Sequence, residues 1–134
     1  MNKFVTDVAE TLEVDTLGLD DDFRATPDWC SLKGFGLLVL LENNWSTPLD
    51  VTRFLELKTV RELWREAFRA FAAGVLKVPV ATLVAHDRVG SIPEWDSINQ
   101  LRLVMESEKH FGIAYALEDI PQIKCLDDFL AFAN

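Results

Sequence analysis

Cations are scarce in this chain, cysteines number two, and no apolar run is long. Its 134 residues include 13 Lys or Arg against 22 Asp or Glu, a formal charge of −9. So acidic a balance argues against binding to a phosphate backbone, which depends on Lys and Arg displacing condensed counterions. The densest apolar stretch, Phe35 to Leu41, is far shorter than the ~18–20 residues that span a bilayer. Met1 to Asp7 turns acidic before any apolar run begins, unlike a secretory signal, so a cytoplasmic protein without a membrane span is expected. Cys30 and Cys125 lie far apart and off metal-ligand spacing, which points to free structural thiols rather than a disulfide framework. Strand-like alternation of any length is also missing. What is abundant is core material: 49% of residues are hydrophobic and 10% aromatic, too much for a disordered acidic tail.

An internal repeat organises this material. Shifted by 66 positions, Pro27-Asp28-Trp29-Cys30-Ser31-Leu32 falls on Pro93-Glu94-Trp95-Asp96-Ser97-Ile98. Val14-Asp15-Thr16-Leu17 falls on Val80-Ala81-Thr82-Leu83, and Asp21 on Asp87, with no gap required. Leu37 meets Leu103, Glu42 meets Glu108 and Trp45 meets Phe111. The chain therefore reads as two copies of one small domain, 1–66 and 67–134, each all-α. In the second copy Ile98, Leu101, Val104, Met105 and Phe111 mark an amphipathic helix from Ser97 to Gly112. Leu126, Phe129, Leu130 and Ala133 mark a closing helix. The stretch from Val84 to Asp96, with Gly90 and Pro93, reads as a loop. In the first copy Thr59-Val60-Arg61-Glu62 has capping-box spacing. Between Thr59 and Val78 there is one glycine, Gly74, and neither Ser nor Pro. A flexible tether would be rich in those residues, so the closing helix of the first copy is predicted to run into, or pack on, the opening helix of the second.

Ser97 is the first candidate for chemistry. Asp96 before it and Gln100 three residues after it place it at a helix N-cap, with Gln100 as capping-box partner. As a cap alone it needs no function. Its hydroxyl would also stand at a positive helix end beside a long loop, a position suited to an attached phosphate group.

Asp96-Ser97-Ile98, with Leu101, Leu103-Val104-Met105-Glu106, Glu108 and Phe111-Gly112-Ile113, resembles the acyl and peptidyl carrier protein family. That family modifies the serine of an Asp-Ser-Leu/Ile motif at the start of its second helix. Leu117-Glu118-Asp119-Ile120 and Leu126-Asp127-Asp128-Phe129 extend the resemblance over the whole second copy. It implies two closely joined tandem four-helix bundles. Ser97 would receive 4′-phosphopantetheine from coenzyme A through a separate phosphopantetheinyl transferase, and carry acyl or aminoacyl groups as thioesters. The motif acid Asp96 would assist the metal-dependent transfer, or serve only as a favourable charge at a helix start. No Ser-His-acid set accompanies Ser97, and an unassisted serine is a poor nucleophile, so activation belongs to the partner and the chain itself is not read as an enzyme. The alternative is an unmodified carrier-like scaffold or regulatory adaptor.

The first copy departs from the motif where it matters. Cys30 replaces the acid, and Gly34 and Gly36 stand in the first turns of its helix, where each costs about 1 kcal/mol relative to Ala and should loosen the element presenting Ser31. The continuous apolar run Leu37 to Leu41 suggests burial on more than one face. Three readings are open: Ser31 is modified, the copy is an unarmed docking platform, or Cys30 is a reactive thiol. Seven basic and thirteen acidic residues in 1–66, against six and nine in 67–134, favour docking on enzymes with basic patches; the resemblance implies that these are acyl-loading and synthase-type enzymes. Arg102 and Lys109 lie on the second copy's central helix, where the carrier proteins of fatty-acid synthesis that the chain resembles are usually acidic; they either lean toward polyketide-like or other specialised biosynthesis or are simply solvated helix positions. His86 and His110 read as surface residues, and Trp29 and Trp95 as loop anchors, with contact between Trp95 and the arm as a further reading.

Overall fold

The structure is a computed structural model, and it describes residues 2–83 and 89–133. Among these the protein is all-helical. Its helices are α1 (Lys3–Leu12), α2 (Ser31–Trp45), α3 (Val51–Glu56), α4 (Val60–Leu76), α5 (Ser97–Phe111) and α6 (Leu126–Ala131). Short 3-10 turns lie at Phe23–Ala25, Val80–Thr82 and Ile120–Gln122. The chain divides into two compact units, one of Phe4–Ala67 and one of Phe68–Asn134 together with Met1–Lys3.

In the first unit α1 buries Phe4, Val8 and Leu12, one face at helical spacing. It ends with Glu13 at φ 59, where the N–H of Val14 closes onto the carbonyl of Ala9 at 3.0 Å, a Schellman-type stop. Phe4 packs edge-on to Trp45 of α2 at 5.3 Å between centroids. The Trp45 indole donates to Asp7 at 3.1 Å. Phe23 reaches Phe54 of α3 at 5.5 Å. The capping box that opens α4 is formed: Thr59 N–H donates to Glu62 Oε1 at 3.0 Å, and Glu62 N–H to Thr59 Oγ1 at 3.2 Å. Burial opposes ionisation of Glu62, but the Thr59 and Lys58 amides outweigh it and hold its carboxyl below its ordinary value.

Of the two junctions open from the sequence, the continuous helix is the one that forms: α4 runs unbroken from Val60 to Leu76. Its earlier turns bury Val60 and Leu63, and its later turns Phe68, Ala72, Ala73 and Leu76. It stops as α1 does, with Lys77 at φ 59 and Val78 N–H on Ala73 O at 3.0 Å.

This stop corrects the gapless alignment. Glu13, Val14 and Ala9 correspond to Lys77, Val78 and Ala73 at a shift of 64, and buried Phe4, Val8, Ala9 and Leu12 to buried Phe68, Ala72, Ala73 and Leu76 at the same shift. The shift of 66 holds from the loop onward. Helices α2 and α5 both span 15 residues and both end in the left-handed conformation, at Ser46 and Gly112. Phe23 N–H meets Lys58 O at 3.2 Å, as Val89 N–H meets Lys124 O at 3.1 Å. The counterpart of α3 is the 3-10 turn holding Pro121, whose missing N–H and fixed φ suit a first turn but not a helix interior.

The second unit is built on aromatic packing. Phe68 lies 5.5 Å from Phe111 and 5.2 Å from Phe129, and Tyr115 donates its hydroxyl to the Phe129 carbonyl at 2.8 Å. Burial pushes the Tyr115 phenol up. His110 is no plain surface residue: it is half-buried and stacks on Phe71 at 4.5 Å, 8° from parallel. Burial, followed by the nearby Lys3 charge, lowers its affinity for a proton. His86 and Asp87 lie outside the described residues, as does the 84–88 part of the predicted loop.

Candidate functional site

The start of α5 is fixed from below by Trp95. The indole is fully buried, and its Nε1–H donates to Gln100 Oε1 at 2.8 Å. The other end of the same amide donates from Nε2 to the Ile123 carbonyl at 2.8 Å. Gln100 therefore ties the loop, the helix and the segment before α6 together, and this corrects its assignment as a capping-box partner. Its second turn position aims it inward at two buried polar groups that have to be satisfied. The loop is closed by Gly90, whose N–H donates to Trp95 O at 2.7 Å from a φ of 87, a conformation that favours glycine. Since the indole is enclosed and its N–H is taken, it anchors the loop and offers no open face to an arm.

The N-cap is Asp96, not Ser97. Asp96 has extended backbone and its Oδ1 accepts the Asn99 N–H at 2.8 Å, the exchange expected of an acidic cap. Asn99 in turn donates from Nδ2 to Glu94 O at 2.7 Å. Ser97 becomes the first helical residue, exposed, with its hydroxyl not needed for capping. The carboxylate of Asp96 is exposed beside it.

At the start of α2 the same backbone is held differently. Cys30 is the N-cap and makes no side-chain cap hydrogen bond, and both Cys30 and Ser31 are exposed. Gly34 occupies the Gln100 position. A Cβ there would sit 3.4 Å from two indole atoms of Trp29, so the ring lies against the helix where Gln100 stands in the other copy. The glycine is thus a seat for Trp29, and α2 forms its full length over it. The carbonyl of Leu57, counterpart of Ile123, is taken by the Arg24 guanidinium, which also donates to Phe54 O at 2.7 Å and lies over the Phe54 ring at 5.0 Å.

Burial also revises which apolar residues are core. On α5 the inward face is Leu103, Val104, Ser107 and Phe111, so Ile98, Leu101 and Met105, read as part of the amphipathic core face, point outward with Leu117. On α2 the inward residues are Gly34, Leu37, Leu41 and Trp45. Of the Leu37 to Leu41 run, Leu37 and Leu41 are buried, Leu38 and Leu40 half-buried and Val39 exposed, and Leu32, Phe35 and Val51 are exposed as well. The eight outward side chains are 38–83% exposed. In each copy they start immediately after the serine.

Sequence reasoning missed both the tie made by Gln100 and this exposed stripe. A signal for the stripe was present: the positions recur at a shift of 66 yet fall outside the 103/104/107/111 spacing that a single core face allows. Among the described residues no group of three or more His, Cys, Asp or Glu is placed to hold a metal ion, and no helix is long and apolar enough to cross a membrane. No family model, no curated protein and no solved structure gives a significant match to the chain.

Proposed function

We propose that the protein is a tandem acyl-carrier-like protein whose second unit carries acyl or aminoacyl intermediates on a 4′-phosphopantetheine arm attached to Ser97. The observation that carries this reading is the exposed Ser97 hydroxyl on the first residue of α5, released from capping by Asp96. The residues suit the group. A phosphodiester on Ser97 would lie at the N–H end of a 15-residue helix, where the partial positive charge favours an anion. Trp95 and Gln100 tie that helix start to the loop and to Ile123, and on this reading the exposed Asp96 carboxylate would contribute to the transferase's metal-dependent chemistry.

In the transfer, Ser97 Oγ attacks the pantetheine-side phosphorus of coenzyme A. A new phosphodiester P–O bond forms, the pyrophosphate bond breaks, and adenosine 3′,5′-bisphosphate leaves while the hydroxyl proton passes to a base of the transferase. The attached arm supplies a terminal thiol for thioester formation. On this reading the chain's own residues present the serine and favour the attached anion at the helix start, and activation of the hydroxyl belongs to the transferase.

For the first unit the uncapped Cys30 favours an unarmed platform over a second loaded carrier, since the acid that would assist transfer to Ser31 is missing. Incubation with coenzyme A and a promiscuous phosphopantetheinyl transferase, followed by intact mass, tests both statements. Wild type and Ser31→Ala should gain one arm, and Ser97→Ala none. Absence of any increment in wild type would refute the carrier and leave the unmodified scaffold; an increment surviving Ser97→Ala would move the site to the first unit.

A further inference from the structure

Exposed apolar positions recur at a shift of 66. Leu32, Phe35 and Val39 on α2 match Ile98, Leu101 and Met105 on α5, and all six are exposed. Spacings of three and four place each set on one helix face, so each central helix carries one outward row. A single exposed apolar side chain is ordinary, whereas a contiguous row marks an interaction surface.

The charges beside the two rows differ in sign. On α2 the ionisable side chains are Lys33 and Glu42. Lys33 is turned inward, donating to Leu12 O at 3.0 Å and Pro27 O at 3.3 Å. Glu42 is exposed, and exposed Asp28 and Asp50 lie beyond the two ends of the helix. On α5, Arg102 and Lys109 are exposed, and their separation of seven residues puts both on the same flank of the row. They stand where α2 has Gly36 and Asn43, and among the described residues neither enters an ion pair. The acids within α5 are less available: Glu106 and Glu108 are half-buried, and Glu108 accepts the Tyr115 N–H at 3.0 Å. Exposed acid lies beyond the helix, at Glu94, Asp96 and Glu118.

We infer that the two rows are the halves of one contact between copies of this chain, in which the α2 row of one molecule packs on the α5 row of the next. Duplication gives the rows the same spacing, so they meet as equivalent faces do in a two-fold dimer. Charge selects the pair. An α2–α2 contact would set Glu42 and Asp28 against their own copies, and an α5–α5 contact would do the same with Arg102 and Lys109, and like charges across an interface are costly. The mixed contact opposes acid with base. Laid antiparallel, with Leu32 on Met105 and Val39 on Ile98, α2 brings Asp28 toward Lys109 and the Phe35 ring toward Arg102, a pairing that favours a cation over an aromatic face. Such a contact joins unlike surfaces, so each molecule offers one half to each of two neighbours. It does not depend on an arm at Ser97.

Sedimentation of the full chain, verified as unmodified by intact mass, tests this between about 10 µM and 1 mM, the range suited to a small interface. The mean mass of wild type should rise with concentration above the 15.2 kDa of one chain. Leu32→Asp/Phe35→Asp leaves the α5 row alone, and Ile98→Asp/Leu101→Asp leaves the α2 row alone. Each variant by itself should stay monomeric, while their equimolar mixture should form a one-to-one dimer and nothing larger. Arg102→Glu/Lys109→Glu should weaken association of the otherwise wild-type chain about ten-fold. The new acids at positions 32 and 98 fall in first turns, where acid is favourable, and unchanged helical circular dichroism verifies that the variants fold. Wild type that stays monomeric throughout overturns the inference. So does self-association of either row variant, a mixture that remains monomeric, or indifference to the charge reversal.

Discussion

The two helix starts that present Ser31 and Ser97 share length, exit geometry and the backbone tie to the segment before the closing helix, yet are stabilised by different chemistry. At α5 a carboxylate caps the first turn and one glutamine satisfies both a buried indole and a buried carbonyl. At α2 the cap is a thiol without a cap hydrogen bond, the glutamine is a glycine, and the indole has moved into the space this leaves. The orphaned carbonyl is then recovered from the loop by Arg24. One fold position can lose a polar bridge when a neighbour of the right reach supplies the missing donor, but the exposed carboxylate beside the serine has no such substitute. What differs between the copies is thus the chemistry available to the serine, not the scaffold beneath it.

The comparison breaks most sharply at Gln100. Gln100→Ala leaves the Trp95 N–H and the Ile123 carbonyl without their partner, and should cost about 2–3 kcal/mol in urea denaturation. A loss under 0.5 kcal/mol would show that the bridge is not what holds the loop. The caps come next. Asp96→Ala should destabilise by about 1 kcal/mol, while Cys30→Asp should stabilise by a similar amount; equal and negligible effects would mean that the two starts do not differ in capping. Gly34→Ala is expected to stabilise by about 0.5–1 kcal/mol, because its Cβ meets Trp29 only at ordinary contact distance. Destabilisation there would make the indole seat tighter than 3.4 Å suggests.

The smallest effect is the pH dependence that His110 brings to the second unit, where the first has Asn44. The folded-state affinity of His110 for a proton is lowered, by burial first, so its neutral form is favoured in the fold. The associated stability is present above the unfolded pKa of about 6.5 and is lost as pH falls through the lower folded value. Melting of the wild type should therefore fall between pH 7 and 5 by more than that of His110→Asn, and parallel curves would remove the effect.

Much of this was legible in residue order. Periodicity and the Pro-acid-Trp-x-Ser string gave the helical class and the paired helices 31–45 and 97–111, because capping residues and apolar spacing act over a few positions. Thr59 and Glu62 declared their capping box for the same reason. Other features were hidden. Ser97 and Asp96 are adjacent, and composition cannot say which is the last non-helical residue, since that depends on a backbone turn set by Gly90 and Trp95. The register of 64 in the opening helices was masked by matches at 66 in the following segment. Ile98, Leu101 and Met105 are as apolar as Leu103 and Val104, and a helix with apolar residues on two sides leaves its inward face undecided.

By itself the sequence determined an all-helical duplicated chain with a serine at each central helix start, because those properties follow from local propensity and from repetition. Tertiary structure alone decided that Gln100 bridges and that each central helix keeps an apolar row outside. Those outcomes depend on which face of a helix its neighbours cover and which buried donors and acceptors they bring, and both are fixed by residues distant in the chain.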